Sequence, residues 1–451
     1  MAERFDVVVV GGGTAGFAAA LTAAELGART LLAERSETLG GNVALALVHT
    51  ICGLYGSAEA GDAVPAHPGF PSRFARRLQR AGAAGTPQRA GSVWVLPTDP
   101  PRLAAVAMAL CARTRGLEVC LAHELVAASL EGEGPAFPRL RLRDVAGRER
   151  TLEAGIVIDA SGDAVVASLG GAATRMALPG SLQLPSYIFR LDGVDTAALD
   201  ELEGFARLRI THAIGGAVRT QALPAGCESV LVRPGAEDGQ IYMTLNIPRP
   251  TDRPYAPLEP DCVAALESRA RRDASRIVEF LRHSRPAFEK CRVGAWPERV
   301  GIRETRRLDG IETVCRESVL EGRRHPDEVA VSTWPIELWQ DHRRPRFEIP
   351  SGPCSIPLGA LVSRSHPRLG TAGRCISADH EALGALRVIG TALAGGEAIG
   401  VAAARAADTG ASLSAVAAPE VRRQILERAE RFAPRAGGDL GGHGEDDGAT
   451  G

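Results

Sequence analysis

Gly11, Gly13 and Gly16 stand at G-x-G-x-x-G spacing, and Glu34 follows 23 positions after the first of them. The first glycine permits a tight turn, the second lets backbone approach a pyrophosphate, and the third lets a helix pack on a strand. Backbone amides at the helix start, around Thr14 and Ala15, would point at phosphate oxygens, where the helix dipole favours negative charge. An acid about 20 residues on is placed to accept hydrogen bonds from an adenosine ribose. Spacing alone is weak, because a glycine-rich turn followed by a surface glutamate reads the same way. The flanking elements strengthen it. Residues 5–10 form a β-branched run fit for a strand buried on both faces, residues 15–26 have helical composition ended by Gly27, and residues 30–33 read as a second strand ending at Glu34. Strand, glycine turn, helix, strand and acid in register point to dinucleotide binding.

Composition narrows the remaining chemistry. The 451 residues suggest two or three domains. Lys plus Arg is 52 against 54 Asp plus Glu, so no global field draws the chain onto nucleic acid or an anionic membrane, and charged ligands must be held locally. Lys290 is the only lysine, which excludes a Schiff base at any other position. The nine cysteines are scattered with no Cys-x-x-Cys, so we expect reduced thiols in a cytoplasmic setting and no disulfide-reductase mechanism. No pair of histidines has metal-ligand spacing near cysteine or carboxylate, and no metal site is expected. There is no G-x-S-x-G elbow. Residues 395–400 lack the middle glycine of a second dinucleotide turn, which argues against a separate nicotinamide domain. The apolar stretch 7–24 is broken by glycines and lacks a basic leader, so neither a membrane span nor a signal peptide is expected.

Three further segments decide which dinucleotide is expected. Gly40-Gly41-Asn42 is a paired-glycine turn that lets backbone run close to a planar ligand. Residues 155–163 read as a buried strand leading into Ser161-Gly162-Asp163, and residues 369–380, with Gly373 and Arg374, precede a small-residue helix at 392–407. In this order the pieces resemble the FAD-binding fold of the glutathione-reductase and fumarate-reductase type, and within it the bacterial FAD-dependent oxidoreductases. The resemblance covers most of residues 4–175 and 295–410. It implies an α/β protein: a Rossmann-like FAD-binding domain with an inserted mixed α+β substrate domain. By that resemblance Glu34 holds the adenosine ribose and Val126 meets adenine through its backbone. Gly162 and Asp163 lie by the pyrophosphate or ribityl chain, and Gly373 and Arg374 grip the ribityl. Arg35, Asn42, Ser161, Arg387 and Val388 complete the expected FAD contacts.

The organisation expected is a flavin domain at 1–174, an insertion at 175–296, a second flavin part at 297–415, a terminal helix at 416–435 and a disordered tail at 436–451. Four residues are catalytic candidates, because hydride exchange with flavin leaves a proton to be moved. His380 is an acid or base candidate or a hydrogen-bonded surface histidine. Arg387 contacts flavin or substrate, or serves in a structural ion pair. His49 contacts substrate or, less readily, attaches flavin, and neighbouring Cys52 reads as packing. Arg303 binds a substrate carboxylate bidentately or pairs with Glu304. Where the resembled family commonly has a histidine, this chain has Trp339, so no relative's activity transfers directly. The expected activity is hydride transfer between a small organic substrate and flavin N5, as a dehydrogenase or oxidase, with oxygen, a quinone or a partner protein taking the electrons. A homodimer is possible. The alternatives are a monooxygenase or halogenase-like enzyme, or a non-catalytic FAD or nucleotide-binding partner protein.

Overall fold

The computed structural model describes residues 2–57, 61–130, 137–200 and 205–432. The tail expected at 436–451 lies outside them.

The β-branched run at the amino terminus becomes the strand Glu3–Val10 in a seven-stranded sheet. It runs parallel to Thr30–Ala33 on one side, with Val7 opposite Thr30, and parallel to Glu149–Asp159 on the other, with Val10 opposite Asp159. Val7, Val8 and Val9 are fully buried, as a strand covered on both faces requires. Glu149–Asp159 has two roles. Its first half pairs antiparallel with Arg139–Asp144, where Leu140 and Leu142 point inward between exposed arginines. Its second half pairs parallel with Leu369–Thr371.

Two helices lie against this sheet backbone to backbone. Gly396 and Gly400 of the helix Ile389–Thr409 sit so close to Thr14–Glu25 that an added Cβ would fall 2.3 Å from the Ala15 carbonyl oxygen and 2.5 Å from that of Ala19. The small residues of this closing helix are therefore a packing requirement.

A second sheet runs Val230–Pro234, Ile241–Asn246, Ser186–Asp192, Arg292–Ala295, all antiparallel. Strand alternation gives it two unlike faces. Tyr187, Phe189, Met243, Leu245, Val230 and Val232 join Leu266, Ala270 and Ile277 of the helix Pro260–Ser284 in a core of their own. Ile188, Thr244, Leu231 and Arg233 face the other way, into the main cavity. That cavity is closed on a further side by a hairpin, Ile336–Leu338 with Arg346–Glu348, in which Glu337 lies opposite Phe347. Sequence periodicity missed the strands Val230–Pro234 and Arg292–Ala295 and the helix Phe205–Arg219, whose run of β-branched residues and Gly215-Gly216 masks helical composition. Among the described residues no helix is long and apolar enough to cross a membrane.

Candidate functional site

One cavity of about 790 Å³ runs from the first glycine turn to the wall formed by the second sheet and the hairpin, within the range of cofactor sites. Its nucleotide end is made largely of backbone. Gly11 has φ +103°, and a Cβ there would fall 2.4 Å from the Ala160 carbonyl oxygen, so only glycine makes this turn. Gly13, Thr14 and Ala15 line the cavity. The Gly40 N–H donates to the Gly12 carbonyl (2.8 Å), which ties the second glycine turn beside the first and brings Gly40, Gly41 and Asn42 onto the wall. Asn42 is fixed by donating to the Ile302 carbonyl (3.1 Å). Glu34 accepts from the Gly12 N–H (2.6 Å) and from the N–H and hydroxyl of Ser36 (both 2.8 Å). Oε1 takes both Ser36 bonds and Oε2 the Gly12 bond, so one acceptor site is left, on Oε2.

Three arginines meet at this end. Arg35 and Arg374 are joined by Arg299, which arrives from the segment following the second sheet. Burial pushes the Arg299 guanidinium down to about 10, and Arg35 and Arg374 push the same way. Asp163 pairs with Arg374 at 3.3 Å and accepts from the Thr305 hydroxyl at 2.9 Å. Even so, Arg299 Nε and Arg374 Nη1 are buried with no partner. Three cations, two of them with orphaned donors, beside a glycine cradle suit a doubly charged pyrophosphate. Nothing in the local sequence around Arg299 marks it for this place.

At the opposite end stand Arg303, Arg387, Glu337, Trp334, Trp339, His49 and Cys52. The Arg303 guanidinium lies over the Trp339 ring, 4.7 Å from its centroid, and donates to the Leu184 carbonyl and to Asn246 Oδ1 (2.8 Å). Burial pushes it down to about 9, and Arg387 adds to the effect. Arg387 donates one bond to the Glu337 carbonyl (3.2 Å), and its Nε is buried without a partner. The Glu337 carboxylate accepts from the indole N–H groups of Trp334 (3.0 Å) and Trp339 (2.6 Å). His49 stacks on Tyr242 of the second sheet, with centroids 4.3 Å apart and an interplanar angle of 6°. Its Nδ1 lies 3.2 Å from the Leu47 carbonyl, and Nε2 is buried with no partner. Burial lowers its pKa to about 4, so the ring is neutral at pH 7. Burial likewise pushes the Cys52 thiol up to about 12, which leaves it protonated and unreactive.

The family model for FAD-dependent oxidoreductases matches residues 6–425. The chain belongs to that family. It is an FAD-dependent enzyme, and the cavity just described has the charge and the backbone cradle that FAD needs. No curated protein sequence matches this oxidoreductase. Among solved structures it is similar to p-nitrophenol 4-monooxygenase PnpA from Pseudomonas putida DLL-E4 (13% identity, 96% of this chain and 88% of that one, TM-score 0.49). It is also similar to a geranylgeranyl bacteriochlorophyll reductase-like protein from Thermoplasma acidophilum (12%, 96% and 83%, 0.45) and to the myxobacterial chondrochloren halogenase CndH (15%, 95% and 80%, 0.42).

The structure of the oxidoreductase moves several expected residues. Gly16 is packed behind the turn: a Cβ there would fall 1.8 Å from the Gly11 carbonyl oxygen. Val126 is not on the wall, which is formed here by His123, Glu124 and Leu125. Pairing passes from Leu125–Leu142 to Ala127–Arg141, so Val126 is the extra residue of a bulge. Asp163 acts by holding Arg374, and Ser161 lines the cavity while its hydroxyl donates to Asp159 (2.6 Å). Gly162, Gly373, Arg374, Arg387 and Val388 all line it.

His380 takes the hydrogen-bonded alternative in place of the acid–base one. It does not line the cavity. Its Nδ1 is 2.8 Å from Glu304, and its Nε2 is 3.1 Å from the Gln340 side chain. Glu304 is fully buried and also accepts from Arg307 and from the Gln183 N–H (3.2 Å). Burial pushes Glu304 upward, yet His380 and Arg307 hold it below the ordinary carboxylate range. The Arg303–Glu304 pair offered by the sequence is therefore not formed, which leaves Arg303 turned to the cavity. Glu312, His325 and Asp327 also lie close together. The Asp327 N–H donates to His325 Nδ1 (3.1 Å), which places the ring proton on Nε2, toward Glu312 (3.3 Å), and opposes metal ligation there.

Proposed function

We propose that this enzyme oxidises a small organic acid, with hydride passing from substrate to flavin N5 and the substrate carboxylate held by Arg303 beside Arg387. Bound FAD supplies the hydride acceptor. The observation that carries the reading is a charge imbalance. Burial and Arg387 depress Arg303 on one wall, and the two guanidiniums share one adjacent carboxylate, Glu337, whose oxygens accept from the indoles of Trp334 and Trp339. Two buried cations sharing one carboxylate leave a net positive charge that is costly to bury, and a ligand carboxylate balances it. Asn246, Leu184 and the Trp339 ring fix the guanidinium in place, so the acid is oriented as well as bound. Neutral His49 lines the same cavity with its Nε2 unpartnered, and it takes the proton that hydride loss leaves on the substrate. The departure at Trp339 fits the same reading, since the electron-rich indole face holds the Arg303 guanidinium in place. The electron acceptor is oxygen, a quinone or a partner protein.

Anaerobic mixing of the purified holoenzyme with small organic acids and with their methyl esters tests this. Bleaching of the visible flavin band by an acid and not by its ester is expected. Equal bleaching by both removes Arg303 from substrate binding. Bleaching by a reduced nicotinamide alone favours a monooxygenase.

A further inference from the structure

We propose that the substrate is amphiphilic, with its acid end at Arg303 and an apolar body lying outward between Leu231 on the second sheet and Phe347 and Ile349 on the hairpin. The inference rests on the proposed anion site and extends it. Register fixes the first wall. Asn246, which binds Arg303, is two residues from Thr244, and Thr244 lies between Leu231 and Ile188 across the sheet. Paired residues share a face, and two residues along a strand are roughly 7 Å, so Leu231 and Ile188 flank Thr244 one side chain from the cation, with Arg233 two residues beyond Leu231 on the same face. The hairpin builds the opposite wall in the same way. Phe347 stands directly across from Glu337, whose carboxylate binds Trp339, on which Arg303 rests. Ile349 is two residues further on and lines the same cavity.

The exposure of these side chains points to an occupant. Leu231 is 40% exposed, Phe347 54% and Ile349 62%. Single exposed apolar residues are ordinary. Here three of them, from two separate elements, face one cavity whose inner end is cationic. Water there leaves apolar surface uncovered on both walls, and a hydrocarbon body carried by a carboxylate covers it while its charge meets Arg303.

The test is a homologous series. The holoenzyme is titrated with straight-chain carboxylates from acetate to decanoate under anaerobic conditions, with binding read from tryptophan fluorescence and the flavin band. The expected result is about fourfold tighter binding for each methylene that reaches Leu231 and Phe347, which corresponds to about 0.8 kcal/mol per buried methylene. The double variant F347S/I349S should lower that gain to less than about twofold per methylene, with FAD content and melting temperature checked alongside. If short acids bind and the series is flat, the apolar body is wrong and the anion site stands. A wild-type gain per methylene that survives unaltered in the double variant also overturns the proposal. If no acid binds at any length, the anion site itself has failed.

Discussion

The two ends of the cavity are built from different materials. At the nucleotide end the walls are turns: Gly11, Gly13, Gly40 and Gly41 bring main chain to the ligand, and Glu34 is held by a main-chain N–H. At the substrate end the walls are side chains from separated segments, with Arg303 resting on Trp339, His49 on Tyr242, and Glu337 between two indoles. Main-chain recognition demands a conformation, and a conformation demands particular residues at fixed spacing. Side-chain recognition demands only that distant residues arrive together. The first end is therefore the more sensitive to small changes and the second the more open to a change of substrate.

The comparison is broken most severely at Gly16. A Cβ there would fall 1.8 Å from the Gly11 carbonyl oxygen, which is backbone and cannot swing aside. Gly16→Ala should cost about 3 kcal/mol or more, from overpacking at a turn that cannot relax, and should leave the protein without FAD. Denaturant unfolding and the visible absorbance of the purified protein measure both effects. Full flavin occupancy in this variant would show that the turn is more compliant than its geometry implies. At the other end, Arg303→Met should leave flavin content near that of wild type and lower kcat/KM for the acid substrate on the order of 10³-fold, about 4 kcal/mol. Arg303→Lys should recover part of the loss. A variant that loses FAD along with turnover would place Arg303 on the cofactor instead.

The same contrast explains what could be read in advance. The strand at Glu3–Val10, the turn through Gly16, the acid at Glu34 and the closing helix were visible because burial on both faces and close main-chain approach restrict composition. Arg303, Arg387 and His49 were recognisable as candidates by residue type and place in the resembled fold, though their partners were not. The sequence leaves Arg303 either free for a substrate carboxylate or paired with Glu304, and in three dimensions Glu304 belongs to Arg307 and His380. That exchange removed His380 from the cavity and turned Arg303 into it. Val126 is set off the cavity wall for a local reason, since it is the extra residue of a bulge and His123, Glu124 and Leu125 line the wall there. Arg299 had no signal at all, because its position depends on how the chain returns from the second sheet.

A smaller effect tests whether the closing helix belongs structurally to the nucleotide end. Glu397 on that helix is buried and accepts from the Phe70 N–H (2.8 Å) at the start of Phe70–Arg80. Burial raises its pKa from 4.5 to about 7. A carboxyl whose folded pKa is raised binds its proton more tightly in the folded state. Its contribution is therefore complete below about pH 4.5 and is lost as pH rises through 7. Glu397→Gln should gain stability relative to wild type across that window, by about 3 kcal/mol at its upper end. His49 and His67, both lowered by burial to about 4, act in the opposite sense: their contribution is present above 6.5 and lost as pH falls through 4. Both are retained in the variant, so they cancel in the difference. A flat difference between pH 4.5 and 7 would mean that Glu397 titrates normally and that the helix junction is wetter than it looks.

Arg299 sharpens the comparison because it is an exception, a side chain from a distant segment placed at the end otherwise made of backbone. If turns carry most of the recognition there, Arg299→Met should weaken FAD by only about tenfold, the low end of a charged hydrogen bond, while Gly16→Ala abolishes it. The loss should shrink as salt rises, because the arginine acts on phosphate charge and the amides of the turn do so less. The melting temperature should stay near that of wild type or rise slightly, since removing Arg299 relieves its repulsion with Arg35 and Arg374 in the FAD-free protein. Titration of FAD-free protein with FAD at two salt concentrations reads all three. If Arg299→Met strips FAD as completely as Gly16→Ala, the pyrophosphate is held by charge more than by the turn, and the division between the two ends is one of degree only.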